Sequence, residues 1–227
     1  MSRVILALGV YAAIGILMSV LYALSNATDQ RSRVVIWMGV TLVFLWVIVC
    51  GALIYRWRDL VKRASIANPI DWRVKFVVLA VFLALVEGAI ATGMTNMAPF
   101  FGVRMGEAAI TASANYLEVV LFHSVIVFIP MFLAWVWLLS KYDFSPNAVF
   151  VLFGITGNFA ELGYGLQNLL AGFWILIYGL IIYLPAYSVP RERDVMKPNV
   201  LHYILAIFLP FLCALPVAAI VAAIRPG

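Results

Sequence analysis

The sequence predicts an all-α, polytopic transmembrane bundle of seven spans, with the N-terminus cytoplasmic and the C-terminus outside. Three observations carry this. Of 227 residues, 66% are hydrophobic and only 11% charged, where a soluble domain carries about a quarter charged residues. Several apolar runs reach roughly 20 residues, the length at which a helix crosses a hydrocarbon core about 30 Å thick. These runs are continuous rather than alternating, which excludes the pattern of barrel strands. In lipid, helices are then the structures that pair every backbone N–H and C=O.

The expected spans are residues 4–24, 34–55, 76–95, 117–139, 148–165, 169–189 and 201–224, within one integral membrane domain. The first apolar run is about 21 residues, longer than the 7–15 of a signal-peptide core, and reads as a retained span. Residues 56–75 form a basic loop with Arg56, Arg58, Lys62, Arg63, Arg73 and Lys75, flanked by Trp57 and Trp72 as interfacial anchors. Residues 96–116, rich in Gly, Ala and Met, read as an outer loop or a re-entrant segment. Residues 148–165 are the least apolar span, with Gly154, Gly157, Gly163 and Gly165 beside Asn158 and Glu161.

Charge asymmetry sets the orientation. With the N-terminus inside, Arg3, the six cations of 56–75, Lys141, Arg191, Arg193 and Lys197 all lie on the cytoplasmic side. Arg31, Arg33, Arg104 and Arg225 lie outside, so cations are concentrated inside. The net charge of +5 is thereby explained as topogenic, and nucleic acid is not an expected partner. The expected partner is the bilayer, with other membrane proteins or further copies of this chain as the remaining possibilities. The plasma membrane is the expected location.

Ionisable side chains within spans cost several kcal/mol unless paired, so each is a candidate site residue. Glu87 stands mid-span in the third segment. Glu161, Asn158 and Asn168 share a helical face at turn spacing. Asn115-Tyr116-Leu117-Glu118 and Asn158-Phe159-Ala160-Glu161 both read Asn-aromatic-x-Glu, on helices expected to run in opposite directions. Oxygen donors converging this way suit a cation. Gly157-Asn158-Phe159-Ala160-Glu161 resembles a Gly-Asn-x-x-Glu element of cation/proton exchangers. The resemblance spans five residues, the first copy has Ala114 for glycine, and it does not assign the family. The expected ligand- or ion-binding residues are therefore Glu87, Glu118, Asn158, Glu161 and Asn168, with His123 secondary.

Each has a plainer reading. A buried Glu can simply bond a neighbouring helix, and a Gly-rich helix with an amide can be a close packing contact. His123 lies about 140° around the helix from Glu118, so the two are not a ligand pair. Cys50 and Cys213 read as small core residues. No nucleophile elbow, zincin motif or paired-aspartate motif occurs, so no catalytic residue is assigned, and neither cofactor nor metal is identified. The favoured reading is a small transporter or ion-coupled carrier with an intramembrane carboxylate and amide site. A noncatalytic subunit of a larger membrane complex and an intramembrane enzyme acting on a lipid or isoprenoid remain as alternatives.

Overall fold

The computed structural model describes residues 3–161 and 172–224. All of its regular elements are helical. They are α1 (Arg3–Asn26), α2 (Gln30–Val43), a π-helical segment (Phe44–Cys50), α3 (Gly51–Ala67) and α4 (Trp72–Asn96). A 3₁₀ turn (Ala98–Phe101), α5 (Tyr116–Phe122) and α6 (Val125–Lys141) come next, then α7 (Pro146–Ala160), α8 (Phe173–Tyr187) and α9 (Val200–Ile224).

The ends of these helices follow from their sequences. Asp29 accepts from the Ser32 N–H at 2.8 Å and starts α2. That bond holds the Asp29 carboxyl below its ordinary range, so the cap is complete at neutral pH and is lost as pH falls through the lowered value. Asp71 caps α4 through Arg73 N–H, and Ser145 caps α7 through Ala148 N–H with Pro146 in the first turn.

Four helical stretches are long and apolar enough to cross a membrane: Gly9–Asn26, Gln30–Ala67, Trp72–Asn96 and Val200–Ile224. α5 and α6 together make a fifth, bent by 43°. The bend has a local cause. The Val119 carbonyl accepts from His123 N–H, Ser124 N–H and the Ser124 hydroxyl at 3.0, 2.9 and 3.1 Å, which interrupts the helical ladder. The fourth expected span is thus two helices rather than one. α7 and α8 have 15 residues each, about 22 Å at 1.5 Å per residue, shorter than the hydrocarbon core. Within the expected outer loop or re-entrant segment 96–116, residues 97–115 between α4 and α5 are turns and one 3₁₀ turn.

α4, α6, α7 and α8 form the centre of the bundle. α9 covers α6 and α7, the α2–α3 rod lies against α4 and α8, and α1 is outermost. The tightest contact is between α7 and α8, which run antiparallel. A Cβ at Gly154 would meet the backbone of Ile175, one at Gly157 the ring of Tyr178, and one at Gly179 the Phe150 ring at 2.8 Å. Small residues on both helices let the backbones approach, as membrane helix pairs require. Thr156 then reaches across to α9, donating to the Ile207 carbonyl at 2.8 Å. On the other side, the π segment turns Trp46 fully inward, where its indole N–H donates to the Ile177 carbonyl at 3.0 Å.

Contacts sort the loops to two ends. At one end, Arg58 bonds Tyr183, Asp59 accepts from Tyr187, Arg73 bonds Ser140, and Arg193 lies 3.7 Å from Asp143. Residues 141–143 also pair with Met196 through backbone bonds. The loops 56–75, 141–146 and 188–199 therefore share this end. At the other end, Arg31 pairs with Glu107 at 3.1 Å and Gln30 donates to the Gly102 carbonyl.

Gly154→Val and Gly157→Leu are expected to destabilise the protein by about 1–3 kcal/mol or more through overpacking. Gly39→Ala is the control: an added Cβ there meets nothing within 4 Å, and a helical Gly→Ala change gains up to about 1 kcal/mol. Thermal unfolding in mild detergent separates the two classes.

Candidate functional site

α4 presents a buried stripe at Phe76, Ala80, Leu83, Ala84, Ala91 and Met94, a three-and-four spacing along one face. Glu87 falls on that stripe, four residues after Leu83 and four before Ala91. Its carboxylate therefore points into the bundle rather than toward lipid. It retains some accessible surface while being enclosed by neighbours, as a group lining an internal crevice does. Among the described residues, no hydrogen bond or ion pair reaches it.

Glu161 caps the C-terminal end of α7. The Tyr178 hydroxyl of α8 donates to its carboxylate. The Arg73–Ser140 bond sets the start of α4 beside the end of α6, and α7 begins five residues later. Glu87 lies 15 residues beyond Trp72, and Glu161 lies 15 beyond Pro146. At 1.5 Å per residue both stand about 22 Å from the same end. They share a depth, and Glu87 lies within electrostatic range of Glu161.

Other polar groups gather near the ends of α7 and α8. Asn158, one turn before Glu161, is 6% exposed, and its Oδ1 has no partner among the described residues. The Trp174 indole N–H is likewise buried without a partner there, and its ring lies 6.0 Å from that of Tyr178. Phe128 of α6 packs edge-on against Tyr178 at 5.8 Å, forming an aromatic wall. In α4, the Thr92 hydroxyl is also buried and unpartnered among the described residues. Native interiors pair most buried polar groups, so Asn158 Oδ1 and the Trp174 indole, near the ends of α7 and α8, stand out among the described residues.

The remaining expected residues are placed differently. Glu118 sits in the first turn of α5, where it accepts from the Ser113 hydroxyl at 2.6 Å. Asn115 caps the same helix by accepting from Leu117 N–H. The two Asn-aromatic-x-Glu segments are thus not equivalent: one begins a helix and the other ends one. His123 is exposed at the bend between α5 and α6. Asn168 lies outside the described residues. Among those residues, no three His, Cys, Asp or Glu side chains gather as a metal-binding group. Tyr178 and Trp174 were not legible as site residues in an aromatic-rich apolar run. The available signal was Gly157, whose missing side chain leaves room for the Tyr178 ring.

No protein-family model matches this chain, and no curated protein or solved structure does. Two carboxylates at one depth in a low-dielectric interior repel unless a proton or a cation lies between them. The C-terminal end of α7 adds its own partial negative charge there.

Tyr178→Phe removes the donor to Glu161 and is expected to lower stability by about 1 kcal/mol, the scale of hydrogen bonds within membranes. Detergent-induced unfolding monitored by circular dichroism reads the shift.

Proposed function

We propose that this protein is a small ion-coupled carrier of the cytoplasmic membrane, binding a proton or a monovalent cation between Glu87 and Glu161. The supporting observation is that two acidic residues, one on α4 and one at the end of α7, stand about 22 Å from the same end of the bundle. Asn158 supplies a free amide oxygen beside them, and Tyr178 orients Glu161. α7 ends at Glu161, and α8 begins at the same end of the bundle. Helices ending at a mid-membrane site are how carriers expose backbone dipoles to an ion.

The same reading takes seven spans, with the N-terminus in the cytoplasm. α7 and α8 count as two short spans, and the end bearing loops 56–75, 141–146 and 188–199 faces the cytoplasm. The concentration of cations in those loops supports this orientation.

Two experiments test the proposal. In vesicles containing a pH-sensitive dye, the purified protein is expected to change internal pH under an imposed sodium, potassium or electrical gradient. Glu87→Gln should cut that response about tenfold or more without altering the thermal unfolding midpoint. Vesicles indistinguishable from protein-free ones under all three gradients, or a folded Glu87→Gln protein with unchanged flux, overturn the carrier. For topology, single cysteines replacing Lys62, Asp143 and Lys197 in a cysteine-free background should label from one side, and one replacing Glu107 from the other. Labelling of Lys197 with Glu107 would make α7 and α8 a re-entrant pair.

A further inference from the structure

A cleft lies apart from the carboxylates. α8 separates the two. Tyr178 faces Gly157 and Glu161, while Leu176, Leu180, Tyr183 and Tyr187, spaced by four, three and four residues, line a cleft of about 650 Å³ on the opposite side. α1 and the stretch from Val47 to Arg58 supply the other walls. Most of the lining is apolar. Leu6, Val10 and Ile48 are all more than half exposed, so the cleft opens to the surface that faces lipid. A Cβ at Gly9 would meet nothing within 4 Å, so α1 stands off from the rod at this level.

One end of the cleft is cationic. Arg58 and Arg191 line it, and no acidic side chain does. Arg58 is held by aromatic rings: its guanidinium lies 3.9 Å from the centre of the Tyr55 ring and 5.0 Å from that of Tyr187. Its Nη1 donates to the Tyr183 hydroxyl at 3.1 Å. The neighbouring Asp59 takes a hydrogen bond from Tyr187 at 2.6 Å and forms an ion pair with Arg58, 3.9 Å from Nε, without a hydrogen bond between them. Nε is buried without a hydrogen-bond partner among the described residues. A guanidinium offers five N–H donors in a planar fork suited to phosphate, and most of these are uncommitted here. Lys62, whose Nζ is 5.3 Å from the Tyr187 ring, adds positive charge. Ser145, Pro146 and Asn147 bring the N-terminal end of α7 to the same place, and its dipole also favours an anion.

A preoriented cation at one end and an apolar trough open to lipid at the other match an amphiphile. From Val47 to Arg58 the trough runs about 16 Å along the rod at 1.5 Å per residue. We infer that this cleft is a binding site for a membrane lipid with an anionic phosphate headgroup, its phosphate on Arg58 and Arg191 and an alkyl chain between α1 and α8. The site is independent of the carrier reading, because α8 stands between them. It lies at the end proposed as cytoplasmic, where anionic lipids are drawn to basic protein surfaces.

The test is lipid binding by the full-length protein purified in a neutral detergent, read by native mass spectrometry and by thermal unfolding. Phosphatidylglycerol is expected to bind about tenfold more tightly than phosphatidylcholine and to raise the unfolding midpoint. Inorganic phosphate at millimolar concentration should do neither. Arg58→Gln and Arg191→Gln should each abolish the preference, while Arg104→Gln at the other end leaves it intact. Gly9→Phe should fill the trough, weakening phosphatidylglycerol binding without changing the midpoint of the lipid-free protein. If Arg58→Gln does not fold, Arg191→Gln and Gly9→Phe decide the matter. Equal binding of the two lipids, a preference that survives Arg191→Gln, or the same stabilisation by inorganic phosphate alone overturns the inference.

Discussion

The close approach of α7 and α8 is the contact on which the rest of the bundle depends. Hydrophobic burial gives little drive for helix association in lipid, where tails are as apolar as leucine. Packing has to come from backbone proximity, which Gly154, Gly157 and Gly179 permit. Each accommodates a side chain of the opposite helix, Ile175, Tyr178 and Phe150 in turn. That interlock fixes the rotation of α8. Once fixed, Tyr178 is aimed at Glu161, and Ile177 presents its carbonyl to Trp46 of the π segment. Thr156 ties the same pair to α9.

A helix held in one rotation can serve two environments. The Tyr178 face of α8 closes on Gly157 and Glu161 of α7. Its other face, from Leu176 to Tyr187, opens on an apolar cleft with arginine at one end. The electrostatics are opposed: negative charge gathers at the far tips of α7 and α8, and positive charge at their other ends. The dipole of α7 runs in the matching sense, its positive end at Asn147 beside the arginines and its negative end at Glu161.

Loop contacts reinforce this polarity. The cations of residues 56–75 are not left as an undifferentiated solvated strip. Arg58 is stacked on tyrosines, Lys75 donates to the Asn68 carbonyl at 3.0 Å, and Arg73 bonds Ser140. Arg193 reaches the Leu139 carbonyl and Asp143, binding the last loop to the end of α6. Charges that first read as orientation signals also hold three loops together.

Composition and run length by themselves determined that this is a helical membrane protein, because a continuously apolar run without the alternation of a barrel strand pairs its backbone in hydrocarbon only as a helix. The same pattern marked Glu87, since a lone acid in an apolar span is costly wherever it points. Glu161 and Asn158 were legible for that reason and through the glycines around them. Tertiary structure decided what periodicity could not express. Where one carbonyl accepts three donors, the fourth expected span breaks at Ser124. Glu118 and Asn115 became a helix start rather than half of a paired site, because capping depends on backbone direction and not on residue type. Tyr178 and the Arg58 cage were hidden because a tyrosine in an apolar run, or an arginine in a basic loop, has no role until another helix is packed against it. The sequence specifies which groups are expensive to bury; only the rotation and depth of packed helices decide which of them meet.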